Sequence, residues 1–277
     1  MYNTKVILLG TGTPRMDHNR YMSALAIVVN DNVYIVDCGS GILERLSASR
    51  AKGHSELKNE NLKHLFLTHF HPDHTLGLPG FIISPWNMGR NDTLNIFGPT
   101  GTKNMVNHIL EAFKLGINEH LNHGPKQLNP IDLNIKEFAS GIIFKDDLVK
   151  VEAIQVEHGT FDAYAFKFTT PDKTIVISGD TTPVDKLYVA AKDCDILVHE
   201  VFSDIGLKSR PKMYQDYMKS VHTSASDLGK AAAKVNPGKL VLTHQLLFNQ
   251  TEEDLLNEIR EHYKGPLYYG NDLDVFE

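Results

Sequence analysis

Cysteine, tryptophan and long apolar stretches are all scarce in this chain of 277 residues. Two cysteines, Cys38 and Cys194, allow one disulfide at most and exclude a disulfide framework or a cysteine-rich zinc site. Both read as small buried residues. The longest unbroken apolar run, Ala24 to Val29, has six residues, whereas a membrane-spanning helix needs about 20. The first residues show no basic segment followed by an apolar stretch and a small-residue cleavage site, so no secretory leader is expected. A reducing, cytoplasmic setting is therefore the default. Positive charge is also in deficit: 28 Lys and Arg stand against 34 Asp and Glu, for a net charge of −6. That disfavours a broad electropositive face for long nucleic acid while leaving room for a local basic patch. Low-complexity segments, fixed-period repeats and Pro/Gly/Ser-rich linkers are missing, so one domain over residues 1–277 is expected. The 42% hydrophobic and 22% charged residues exclude a disordered or fibrous chain.

Histidine, by contrast, is plentiful, with fourteen residues. Their setting is a series of short apolar runs that read as strands, among them Lys5–Leu9, Ala24–Val29, Val33–Asp37, His64–Thr68, Val149–Val156, Thr174–Ser178, Ile196–His199 and Lys239–Thr243. Several are continuous rather than alternating, as expected for strands covered on both faces. Helical patterns lie between them at Gly41–Ala51, Thr102–Leu115, Thr182–Lys192, Ser224–Val235 and Glu252–Tyr263. Ser224 and Thr251 are acceptable N-caps, and Asp254 completes a capping-box pattern with Thr251. Strands first, then strands mixed with helices, predict sheets with helices packed outside.

The segment Thr68-His69-Phe-His71-Pro-Asp73-His74 follows one of the apolar runs. In extended chain, residues two apart point the same way, so His69 and His71 can converge on one point. Asp73 and His74 then face the next segment and can serve a neighbouring ion. Three imidazoles and a carboxylate within six residues form a dense set of metal-competent ligands. His158, Asp180 and His244 each follow another apolar run, where α/β sheets place their sites. Taken singly, each would more often be a loop or turn residue.

At these residues the chain resembles the metallo-β-lactamase superfamily of binuclear metallohydrolases, and within it the ribonuclease Z-like branch, which also contains phosphodiesterases and arylsulfatases. The match consists of H-x-H-x-D-H at 69–74, His158, Asp180 and His244. Leu9-Gly-Thr-Gly-Thr-Pro14, Val36-Asp37-Cys-Gly39, Val198-His199-Glu200 and Val221-His222-Thr-Ser-Ala225 add to it. The resemblance implies an α/β fold, a four-layer αββα sandwich. It implies that His69, His71 and His158 hold one divalent metal ion, that Asp73, His74 and His244 hold a second, and that Asp180 bridges them. Zinc is the first choice, with manganese or iron also suited to such ligands. It further implies that His222 donates a proton to the leaving group, with Glu200 holding its ring. Asp73 doubles as a possible acceptor of the water proton.

Two such ions with two aspartates and a bridging hydroxide leave the site near +1, which favours a monoanionic ester over a neutral lactone. The expected reaction is hydrolysis of a small phosphodiester or sulfate ester by the bridging hydroxide. Cleavage of transfer RNA 3′ ends and lactone hydrolysis are the alternatives. The transfer-RNA-processing members of the branch carry a long arm between the third histidine ligand and the bridging aspartate, and the 22 positions from His158 to Asp180 leave no room for one. Nucleic acid is thus the less favoured partner, no membrane is expected, and a homodimer is possible by analogy. Three further readings stay open. Asp37 supports a ligating histidine or serves a turn. Segment 78–88, with the only tryptophan, is a pocket wall or core. Segment 206–219, with four basic residues against one acid, is an anion-binding lid or a solvated loop.

Overall fold

Continuous apolar runs such as Ala24–Val29 and Ile196–Phe202 are buried along their whole length, which requires a layer on each side of the strand. The computed structural model, which describes residues 2–124 and 128–277, supplies those layers. The first sheet has strands β1 (Thr4–Gly10), β2 (Ala24–Val29), β3 (Asn32–Val36), β4 (His64–Phe66), β5 (Leu94–Gly98) and β6 (Leu133–Glu137). The second has β7 (Gly141–Lys145), β8 (Lys150–His158), β9 (Phe161–Thr169), β10 (Thr174–Ile177), β11 (Ile196–Phe202), β12 (Lys239–Leu246) and β13 (Leu267–Tyr269). The last strand, β14 (Val275–Phe276), returns to pair with β1, giving the orders β14-β1-β2-β3-β4-β5-β6 and β13-β12-β11-β10-β9-β8-β7. Each sheet is antiparallel on one side and parallel on the other.

The two-residue period of a strand divides its side chains between two cores. Val6 and Leu8 of β1 enter the space between the sheets with Phe66, Val151, Phe166 and Val198. Ile7 and Leu9 enter the outer face of the first sheet, under α1 (Ile42–Ala51), α3 (Leu78–Asn87) and α4 (Thr102–Ala112); the short α2 (Pro72–Thr75) precedes α3, and α5 (Lys114–His123) follows α4. A third core joins the outer face of the second sheet to α6 (Asp185–Ala190), α9 (Ala225–Val235) and α10 (Glu252–Arg260). The short α7 (Asp204–Leu207) and α8 (Lys212–Val221) lie between α6 and α9 in the chain. The architecture is therefore the four-layer αββα sandwich.

Several local readings hold. Ser224 accepts from the Asp227 amide, and Thr251 with Asp254 closes a capping box. Cys38 and Cys194 are free and buried. The segment 78–88 is core: Leu78, Phe81 and Ile82 pack on the first sheet, and the Trp86 indole donates to the Asn129 carbonyl at 2.8 Å. Other expectations need correction. The pattern at 102–115 is broken between α4 and α5, and β11 and β12 run past His199 and Thr243. Strands β6, β7, β13 and β14 went unpredicted, because edge strands are short and only partly buried, so their apolar pattern is weak. Among the described residues no helix is long and apolar enough to cross a membrane.

Candidate metal centre

The site forms where strands of both sheets end on the same side. Beyond β4 the chain leaves the sheet through Thr68, His69 and His71, and Pro72 opens α2 where its missing N–H is harmless. That turn buries Asp73 and His74. His158 is the last residue of β8. Gly179 has φ +58°, and a Cβ there would lie 3.0 Å from the Tyr164 carbonyl and 3.1 Å from Thr68. Only glycine fits this turn, which carries Asp180 inward. His244 lies within β12 rather than beyond it. Its φ is +47°, and it falls in a register shift in which Glu200 faces Thr243 while Val201 faces Gln245. The extra residue of such a bulge is re-aimed, and here it is a histidine in a strained conformation.

All seven residues of the expected metal set come together. His71 Nδ1 lies 3.1 Å from His69 Nε2 and 2.9 Å from His158 Nε2. Asp180 Oδ2 lies 3.9 Å and 3.8 Å from the latter two nitrogens. On the other side Asp73 Oδ2 is 3.0 Å from His244 Nε2 and 3.6 Å from His74 Nε2. Asp180 Oδ1 approaches His74 Nε2 at 3.4 Å, so one carboxylate stands between two groups of donors. Asp180, His222 and His244 also offer ligand atoms within 4.8 Å of one another, which places His222 at the rim of the same cluster.

The surroundings orient these rings. His158 Nδ1 donates to the Val221 carbonyl at 2.6 Å, His69 Nδ1 meets Thr68 Oγ1 at 3.0 Å, and His74 Nδ1 donates to Asp37 Oδ2 at 2.7 Å. Each contact leaves Nε2 facing inward. Asp37 also accepts from the Thr68 amide and hydroxyl, so it is a partner of His74 and not merely a turn residue. Asp37→Asn is expected to weaken metal binding about 10–100-fold, measured by competition with a chelator. Unaltered affinity would show that the Asp37 charge plays no part.

Burial holds His69 well below the ordinary imidazole range and lowers His71 and His158 as well, the form a metal ligand requires. For Asp180 and Asp73 burial acts upward, but the neighbouring His244 and His74 outweigh it and keep both carboxyls low. His74 is driven well above its ordinary value, against its burial, by Asp180 and Asp37. Its Nε2 and Asp73 Oδ1 are nonetheless buried without a hydrogen-bond partner. Orphaned polar atoms cost free energy unless something occupies the space between them. Divalent cations fit this donor set of imidazole nitrogens and carboxylate oxygens.

Beside the cluster, Glu200 Oε1 accepts from the Thr223 amide at 2.8 Å, and its Oε2 lies 3.3 Å from His222 Nδ1. That last pair is close enough for an ion pair but too poorly aligned for a hydrogen bond. Burial lowers the His222 imidazole, but Glu200 outweighs it and raises it to about 8. His199 is buried and stacks on Tyr188, away from the cluster. Two contributors to the site had no role assigned from the sequence. The Phe161 ring lies 4.3 Å from that of His71. Loop 11–20, known only as part of the opening motif, lines one wall of a cleft of about 1270 Å³ that reaches His71, Asp73, Asp180, His222 and His244. Arg20 pins this loop through Thr11, Gln245 and Gly270. The opposite wall comes from 210–218, so the segment 206–219 does line the pocket.

Comparison with known proteins agrees with this geometry. A ribonuclease Z of Mycobacterium bovis (strain BCG / Pasteur 1173P2) is 27% identical over 279 residues, covering 99% of this chain and 98% of its own. Among solved structures, human tRNase Z, short form, superposes with a TM-score of 0.74 at 20% identity, covering 99% of this chain and 98% of that one. A metallo-beta-lactamase fold protein from Bacillus subtilis gives 0.75 at 19% identity, covering 99% and 100%. The beta-lactamase superfamily domain model matches residues 32–245. The chain belongs to the beta-lactamase superfamily.

Proposed function

We propose that this chain is a metal-dependent phosphodiesterase, a single hydrolase domain over residues 1–277, and that its phosphodiester substrate is RNA, cleaved in the manner of the ribonuclease Z relatives. The observation that supports it most is the convergence of His69, His71 and His158 with Asp73, His74 and His244 on either side of Asp180, at the floor of a large cleft. His69, His71 and His158 would hold one divalent ion and Asp73, His74 and His244 the second, with Asp180 serving both. When bound, such a pair supplies a nucleophile at neutral pH and offsets charge on the phosphoryl oxygens.

The chain's own residues supply the rest. His222 stands at the cluster's rim with Nε2 free to give a proton to the leaving oxygen. Glu200, held by the Thr223 amide, keeps the ring in place and favours its protonated form. Cations in the adjoining groups would draw the His222 value back towards neutrality, where a proton donor works best. Asp73 Oδ1, buried without a partner, is placed to take a proton inside the site.

The sequence favoured a small anionic ester over RNA on two grounds, net charge and the missing arm. Both weaken. The mycobacterial ribonuclease Z aligns along 98% of its own length, so it has little room for an arm either. Arg210 of the segment 206–219 lines the cleft together with Arg15 and Arg20 of loop 11–20, where local charge matters more than the total. A cleft of about 1270 Å³ also exceeds the ~300–1,000 Å³ of ordinary small-molecule sites. A small phosphodiester or sulfate ester remains the second reading, supported by the short hairpin between β8 and β9 that occupies the arm's place.

Metal-loaded protein offered a bis-aryl phosphate, an aryl sulfate, a cyclic nucleotide, a lactone and a precursor transfer RNA separates these readings. Cleavage of the RNA and the bis-aryl phosphate, with the neutral lactone at least about 10²-fold slower, is the expected result. This gap matches the energy of one lost electrostatic contact. Preferred hydrolysis of the sulfate would reinstate the second reading, and preferred hydrolysis of the lactone would overturn both.

A further inference from the structure

The amphipathic helix α8 presents two tyrosines to solvent on the wall of the cleft. Tyr214 is 41% and Tyr217 54% exposed, and Met213 beside them is 85% exposed. Large side chains exposed side by side form a contiguous patch, and such patches mark binding surfaces. Residues three apart share a helix face, separated by about 4.5 Å along the axis. The adjoining flank of α8 is anchored: Met218, one turn beyond Tyr214, packs with Phe202, Leu207 and Phe248. The Tyr214 ring meets Phe248 edge-on at 5.9 Å, and Arg210 sits 5.6 Å over the opposite partner of that contact, the Phe248 ring. The result is a ledge of aromatic side chains with a guanidinium at one end.

The ledge leads into the metal cluster. One helical turn beyond Tyr217, the Val221 carbonyl holds the His158 ring, and the next residue is His222. Across the cleft, Arg15 is exposed on loop 11–20. Aromatic faces interleaved with cations suit one kind of occupant, an unpaired strand whose bases stack while its phosphates run past the arginines. A paired duplex hides its base faces and would find nothing to stack on.

We propose that Tyr214 and Tyr217 form a stacking platform for the unpaired bases flanking the scissile phosphodiester, making the enzyme selective for single-stranded RNA. The proposal rests on the RNA reading of the site above. Neither tyrosine takes part in the chemistry; both act through binding.

The test uses full-length, metal-loaded protein with Tyr214→Ala and Tyr217→Ala, singly and together, and the matching Phe variants. Substrates are a single-stranded oligoribonucleotide, the same strand with abasic sites flanking the cleavage position, and a bis-aryl phosphate. Each Ala substitution is expected to raise KM for the base-bearing strand about 5- to 150-fold, with a smaller effect on kcat. The abasic strand should lose less than about twofold, because it has no base to stack. The Phe variants should recover the wild-type KM, since they keep the ring and lose only the hydroxyl. Equal losses on base-bearing and abasic strands, or no loss on either, would overturn the platform while leaving the RNA reading intact. Wild-type protein that hydrolyses the bis-aryl phosphate but neither the oligoribonucleotide nor a precursor transfer RNA would overturn the RNA reading and the platform with it, and cleavage of the transfer RNA without the oligoribonucleotide would overturn the selectivity for single strands.

Discussion

Asp180→Ala is expected to remove metal and hydrolysis together. Asp180 places one oxygen towards His69 and His158 and the other towards His74, so each donor group loses a ligand when it goes. The charge balance shifts as well. Two divalent ions would then face Asp73 as the sole carboxylate of the cluster, and mutual repulsion would eject at least one of them. Elemental analysis after dialysis against metal-free buffer should show this loss. Turnover of a bis-aryl phosphate should fall at least about 10³-fold, the upper end of what one lost electrostatic donor costs. Asp180→Asn, which keeps the shape and one oxygen acceptor, should retain more metal than the alanine variant. Full metal content with unimpaired turnover in Asp180→Ala would sink the shared-carboxylate arrangement.

His222→Ala separates proton donation from metal binding. The imidazole lies at the rim of the cluster, paired with Glu200 and stacked on the His244 ring at 5.4 Å. Both ions should therefore remain. Turnover should fall about 10²–10⁴-fold for an alkoxide leaving group, the usual range for general acid catalysis. For a nitrophenolate, which leaves without a proton, the loss should be much smaller. Equal losses for the two leaving groups would count against the donor role, and a loss of metal would show that His222 is itself a ligand, as its distance to Asp180 and His244 allows. Glu200→Gln should follow the same pattern in weaker form, because the amide keeps contact with the ring but removes the charge that raises the His222 imidazole.

Much of this centre was legible in the chain because its parts are local. His69, His71, Asp73 and His74 lie within six residues, on a segment whose turn is set by Pro72. The apolar runs that hold the sheets were legible for a related reason: a strand covered on both faces must be apolar throughout. The ends of β11 and β12 were not. Strand pairing carries both strands past Glu200 and His244, whose polarity suggested an end, because those side chains are buried by the site rather than exposed to water. The edge strands β6, β7, β13 and β14 were missed for the opposite reason, since partial exposure blurs the alternation.

The sequence by itself determined which side chains this protein has available for a metal centre, and that they follow apolar strands in an order that suits an αββα sandwich. Only the tertiary structure decided the rest: that Asp180 stands between two donor groups whose members lie as many as 175 positions apart, from His69 to His244; that a bulge turns His244 inward; that Asp37 orients His74; and that α8 rather than α3 walls the cleft. The physical reason is that these are through-space relations. They depend on the register between strands and the packing of helices on sheets, which bring together residues that no local period relates.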